Sequence, residues 1–190
     1  MTGAQVDVVV KIGGSLLAHP THIVPVLDAL DQAATGGKLL IVPGGGPFAD
    51  TVRDVDRRFE LSQAAAHWMA ILAMDQYAHF LASRLHAASV AWDPGDIAAA
   101  YRRHELPVLA PSRWLRQADP LPHSWDVTSD SVAAWVAGAV GAARLVLVKP
   151  PGVTSDAVDA YFHRALPAGI GPVAIVAADR TDMLRLCLTV

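Results

Sequence analysis

Three times in this chain a short run of strand-forming apolar residues stops at a junction rich in glycine or lysine. Val6–Val10 runs into Lys11-Ile12-Gly13-Gly14-Ser15-Leu16, Lys38–Val42 into Pro43-Gly44-Gly45-Gly46-Pro47, and Arg144–Val148 into Lys149-Pro150-Pro151-Gly152. Continuous apolar runs of this length mark strands buried on both faces. Helical-length segments separate them. Strands that alternate with helices give an α/β fold, a three-layer α/β/α sandwich with a mainly parallel central sheet. In such sheets ligands gather outside the carboxyl ends of the strands. All three junctions lie at those ends and can meet on one rim. The convergence points to a site; taken alone, Lys11–Ser15 also fits a tight turn with a solvated lysine.

The elements between the junctions read as follows. Ile23, Val26, Leu27, Leu30 and Ala34 recur at helical spacing after the first junction, and Thr35-Gly36-Gly37 ends that helix. Pro47 suits the first turn of a helix over Phe48–Arg57. Ser62–His86 contains neither Gly nor Pro and reads as one long helix. Its apolar residues Trp68, Ile71, Leu72, Tyr77 and Leu81 fit either a contact between two copies or burial within one chain. Ser89–Trp92 and Pro107–Ala110 read as short strands around a helix that begins at Asp93-Pro94. Residues 111–125 read as a Pro-rich loop around one helical turn. Thr128-Ser129-Asp130 caps a helix to about Val140. A helix near Asp156–Leu166, a strand near Val173–Ala177 and an edge strand over Leu184–Val190 complete the series. The expectation is one domain over residues 1–190.

Composition removes several classes. Hydrophobic residues make up 53% of the 190 and charged residues 17%, which argues for a packed core over disorder. A net charge of −3 without a basic run argues against nucleic acid as a partner. Cys187 is the single cysteine, so neither a disulfide framework nor a cysteine-rich metal site is expected. The N-terminus lacks a basic n-region, and no uncharged run approaches about 18 apolar residues, so no membrane span is expected. A cytoplasmic setting follows as the expectation.

Two lysines, two glycine loops and Asp130 on one rim suit a polyanion. Glycines let the backbone come close to a ligand with N–H groups turned toward it, and helix N-termini add positive potential. Phosphoryl transfer asks mainly for positioning and charge stabilisation. Lys11 and Lys149 can hold phosphates, and Asp130 can orient the lysines or help bind Mg²⁺; by itself Asp130 also fits a helix-capping carboxylate. Asp126 reads as a loop residue. Arg53, one turn into the second helix, can add charge or stand solvated. The Walker pattern and the protein-kinase motifs are absent. Gly44-x-Gly46-x-x-Ala49 matches a loose dinucleotide fingerprint, but a long helix stands where its acidic second strand should be. His19 and His22 read as a solvated pair, His67, His79 and His86 as helix-surface or interface residues, and Trp68, Trp125 and Trp135 as core. No protein metal site is expected.

Lys-Ile-Gly-Gly-Ser-Leu, Pro-Gly-Gly-Gly, Thr-Ser-Asp-Ser and Leu-Val-Lys-Pro-Pro-Gly-Val, in that order over residues 11–153, resemble the motifs of the amino acid kinase family. The resemblance implies an α/β/α sandwich, ATP with Mg²⁺, and a small-molecule acceptor bearing a carboxylate or a phosphate. It implies that Lys11, Gly13, Gly14, Ser15 and Lys149 hold the ATP phosphates and the transferring group. It implies that Gly44, Gly45 and Gly46 hold the acceptor's anionic group and that Asp130 organises the lysines. The N-terminal part would be the acceptor side and the C-terminal part the nucleotide side, in a homodimer or higher homo-oligomer. His67-Trp68-Met69-Ala70-Ile71 and Trp125-Asp126-Val127-Thr128-Ser129-Asp130 resemble a small branch of the family concerned with methanofuran biosynthesis. That branch points to a furan-type alkyl phosphate as acceptor. Only 41 residues follow Lys149, so the resemblance implies a reduced adenine pocket. A storage protein on the same scaffold is the non-catalytic alternative.

Overall fold

The computed structural model describes residues 6–153 and 157–189. Six parallel strands form one sheet: β1 (Val8–Ile12), β2 (Leu39–Pro43), β3 (Ala88–Ala91), β4 (Leu106–Leu109), β5 (Arg144–Lys149) and β6 (Val173–Ala177). Their order across the sheet is β3-β4-β2-β1-β5-β6. β1 pairs with β2 through Lys11↔Val42 and with β5 through Lys11↔Leu147. The three strands that end in glycine or lysine junctions are therefore neighbours at the centre. Every residue of β1 and β2 is buried, as expected of parallel strands covered on both faces.

Alternation along the strands splits the core into two layers. Val8, Val10 and Ile12 pack with α1 (Pro20–Ala33), with the second half of α3 (Gln63–Arg84) and with α8 (Thr181–Leu188). Val9, Leu145 and Leu147 face the other way, onto α6 (Ser129–Ala139), with Ile71 and Met74 from the first half of α3. Lys11 and Lys149 continue the set that includes Val9 and Leu147, so the pleat turns both lysines toward α6. The remaining helices are α2 (Gly46–Phe59), α4 (Pro94–Arg102), α5 (Ser112–Ala118) and the short α7 (Phe162–Ala165). A 3-10 turn over Gly14–Ala18 leads from β1 toward α1.

Two C-terminal expectations are corrected. Leu184–Thr189 lies in and just after a helix, and Leu184 and Leu188, one turn apart, are its buried contacts; Val190 lies outside the described residues. Arg144 holds that helix end by donating from Nη1 to the carbonyls of Cys187 and Thr189. The helix expected near Asp156–Leu166 starts only at Phe162, because the Asp159 side chain is engaged elsewhere; part of that stretch, residues 154–156, lies outside the described residues.

Candidate active site

The two glycine loops lie against each other, backbone on backbone. A Cβ on Gly14 would stand 2.0 Å from the Gly46 nitrogen, and one on Gly44 2.5 Å from the Gly14 nitrogen. Gly46 also adopts a φ of +54°, where side chains are strained. The first demand on these glycines is thus to let the junctions of β1 and β2 touch. Two of the N–H groups are spent on the sheet: Gly13 donates to the Val148 carbonyl at 2.9 Å and Gly44 to the Ile12 carbonyl at 2.8 Å. Gly13 itself is required by packing, since a Cβ there would meet the Val148 oxygen at 2.9 Å. Among the described residues, the N–H groups of Gly14, Ser15, Gly45 and Gly46 have no backbone acceptor. Those of Gly45 and Gly46 open α2, where the helix end favours an anion.

Beside the loops, Lys11, Asp130 and Lys149 form a buried ionic triad. Lys149 Nζ donates to Asp130 Oδ2 at 2.5 Å. Lys11 Nζ lies 2.9 Å from Oδ1, at ion-pair distance but outside the direction of a hydrogen bond. Burial pushes the Lys11 amine below its ordinary value; Asp130 opposes that shift and Lys149 adds to it. Burial pushes the Asp130 carboxyl up, but the charges of Lys11 and Lys149 outweigh it and the net displacement is down. One carboxylate thus holds two cations side by side. Both of its oxygens lie at ion-pair distance from a lysine. Among the described residues no group of three His, Cys, Asp or Glu side chains could hold a metal. Mg²⁺ would fit here as a complex with nucleotide phosphates, ligated chiefly by them.

A cavity of about 290 Å³ opens from the glycine loops. Gly14, Ser15, Gly45 and Gly46 line it together with Thr128 and Ser129 from the start of α6. Ala49, Asp50, Arg53 and Asp56 line it from one face of α2, at spacings of three and four residues. Its apolar wall comes from Ala66, Ala70, Ile71 and Met74 on α3, with Val127 and Val132. This volume lies at the small end of the roughly 300–1,000 Å³ of ligand pockets. Gly13, Gly44, Lys11, Lys149 and Asp130 do not line it.

The roof of the cavity was not legible in the sequence. Trp125 is 36% exposed at its edge, where a core residue was expected. Its indole N–H donates to Asp56 Oδ2 at 2.7 Å, and Arg53 lies over its ring, 4.8 Å from the centroid. Arg53 also pairs with Asp50 at 2.9 Å, so it stands exposed but not free. His67, expected on the helix surface, is buried and stacks on His123 with centroids 4.3 Å apart. Burial, reinforced by His123, pushes His67 down to about 4. His123 in turn bonds Asp119 at 2.8 Å. These contacts tie the 119–127 segment over the cavity from two helices.

Asp159 was missed altogether. Its carboxylate accepts five hydrogen bonds: from the N–H and hydroxyl of Thr128, the N–H and hydroxyl of Ser131, and the N–H of Tyr161. Thr128 is the N-cap of α6 yet makes no side-chain cap of its own; Asp159 supplies it from across the site.

Buried paired lysines beside free loop N–H groups, at the carboxyl edge of a parallel sheet, describe a phosphate-handling α/β protein. The model of the amino acid kinase family matches residues 8–156, and the chain belongs to that family. The [5-(aminomethyl)furan-3-yl]methyl phosphate kinase of Methanocaldococcus jannaschii is 34% identical over 131 residues, covering 67% of this chain. The matched region is 58% of that relative's length, so this chain spans less than two thirds of it. Among solved structures, uridylate kinase from Archaeoglobus fulgidus superposes with a TM-score of 0.73 over 96% of this chain and 95% of its own, at 15% identity. UMP kinase from Bacillus anthracis gives 0.69 over 96% and 91%, at 13% identity. At such identity these two speak for the fold.

Proposed function

We propose that this protein is an ATP-dependent phosphotransferase that passes the γ-phosphoryl group to a small phosphate monoester, forming a diphosphate. The observation that carries this reading is the buried Lys11–Asp130–Lys149 triad set against two loops with free N–H groups. Two fixed ammoniums can neutralise charge spread over a transferring phosphoryl group, and preorganised charge is the main catalytic term in such reactions. The acceptor phosphate would sit on Gly45 and Gly46 at the start of α2, next to Gly14 and Ser15 on the donor side. The contact between the loops sets donor and acceptor anions close enough for in-line attack. The nucleotide would bring Mg²⁺, which supplies further charge neutralisation when bound. The small cavity favours a compact acceptor, and the Methanocaldococcus relative's substrate supports a furan-type alkyl phosphate of methanofuran-type cofactor synthesis. A cytoplasmic homo-oligomer, paired through the first half of α3 where Met69 and Leu72 are exposed, belongs to the same proposal.

The test is incubation with ATP, Mg²⁺ and a panel of phosphate monoesters and carboxylates, analysed by mass spectrometry with and without hydroxylamine. A diphosphate product, indifferent to hydroxylamine, is expected. A hydroxamate from a carboxylate substrate would replace the phosphate acceptor with a carboxylate, and nucleotide binding without turnover would favour a storage role.

A further inference from the structure

Asp130 can bridge two lysines only while the first turn of α6 holds its place. The residues that flank it, Thr128 and Ser131, are the ones whose N–H and hydroxyl groups bond to Asp159. Asp159 comes from the segment that follows β5, the strand that ends in Lys149. That segment is fastened a second time where the Tyr161 N–H donates to the Asp126 carbonyl at 3.1 Å. Phe162 is then buried in the layer that holds α6. A helix of eleven residues normally caps itself, and Thr128 has the chemistry to do so. Here its hydroxyl is turned outward as a donor, and a remote carboxylate takes both the cap and the helix's positive end. Such an arrangement ties α6 to the segment leaving Lys149, at the turn that carries Asp130.

We infer that Asp159 is a positioning residue that sets Asp130 between Lys11 and Lys149. It makes no ion pair with either lysine in this structure, though its charge reaches Lys11 and raises that amine's affinity for its proton. It acts through the helix turn, holding Asp130 within reach of both ammoniums. Displacements of about 1 Å in such a constellation can cost on the order of 100-fold in rate.

Two arms of one experiment test this. In the first, urea unfolding constants are measured for Asp159→Asn, Asp130→Asn and the double variant. Asparagine keeps the size of Asp159 but turns one acceptor into an amino group facing donors. If Asp159 works through Asp130, the double variant loses less than the product of the single losses, by about 5-fold or more. Losses that multiply within about 2-fold would reduce Asp159 to an independent helix cap and overturn the inference. The second arm is kinetic and rests on the phosphotransferase reading. Asp159→Asn should lower kcat by about 10- to 100-fold while the KM values for nucleotide and acceptor move less than about 3-fold. The milder Ser131→Ala should shift kcat in the same direction by less. A raised KM with kcat intact would place Asp159 on a substrate and overturn the inference. If the wild-type protein phosphorylates nothing, the proposed function fails, and the unfolding cycle still decides the position of Asp159.

Discussion

Replacing Asp130 by asparagine tests the electrostatic core of this protein most directly. The change keeps size and shape but removes the one negative charge, among the described residues, within ion-pair distance of two buried ammoniums, at 2.9 Å from Lys11 and 2.5 Å from Lys149. Breaking a buried pair by removing one partner typically costs about 3–5 kcal/mol, because the remaining charge is left without compensation. Here two charges are left, and each repels the other. The cost should depend on pH in a defined direction. In the wild-type protein the Asp130 carboxyl is displaced down, so its contribution is present above its unfolded value and is lost as pH falls through the lower folded one. Lys11 is displaced down from 10.5, so the unfolded chain holds that proton more tightly and stability rises with pH between the folded value and 10.5. Asp130 pulls Lys11 up, so Asp130→Asn deepens the depression and widens that window. The stability deficit should be largest where Lys11 is protonated in both folded proteins, and should shrink as pH rises because the variant's Lys11 gives up its proton first. Urea titrations at about pH 7 and about pH 9.5, with the m-value checked for constancy, read this directly. A deficit below about 1 kcal/mol at neutral pH, or one that grows toward the higher pH, would refute the argument.

Other substitutions probe other parts. Gly14→Ala forces a Cβ to within 2.0 Å of the Gly46 nitrogen, backbone that cannot swing aside, and should cost at least about 1–3 kcal/mol in chemical denaturation. Lys11→Ala and Lys149→Ala should each lower turnover by about 10²- to 10³-fold in a coupled ATPase or product assay, and near-normal turnover in either would remove that lysine from the mechanism. His67 takes up its proton near 6.5 when unfolded and at about 4 when folded, so acidification between those values favours unfolding; His67→Phe should flatten the thermal-melt dependence on pH across that window.

The central strands were legible because burial on both faces leaves an unbroken apolar run, as in Val8–Val10 and Leu145–Val148, and because glycine and lysine mark where each strand stops. Lys11, Lys149 and Asp130 stood out because ionisable groups beside such runs need a reason to be there. The Trp125 roof and the His67–His123 stack were not legible, since they join α2 and α3 to a segment over 50 residues away and neither partner carries a local pattern. Asp159 is hidden for the same reason: its partners are 28 and 31 residues upstream, and nothing around it distinguishes a tether from a surface carboxylate. The C-terminal segment misled because Leu184, Leu186 and Leu188 alternate as a strand would, while Leu184 and Leu188 also fit one turn of a helix.

The backbone contact between Gly14 and the Gly44–Gly46 turn makes the two glycine loops a single mechanical part. They cannot open and close against each other as jaws, because there is no side-chain layer between them to slide or repack. Motion that admits and releases substrates would then fall to the segment bearing Trp125, which is held by a few hydrogen bonds and stacked rings. Divergence in substrate choice within this architecture is then confined to the walls and roof of the cavity. The distance between the two loops stays constant while the molecules that meet them change.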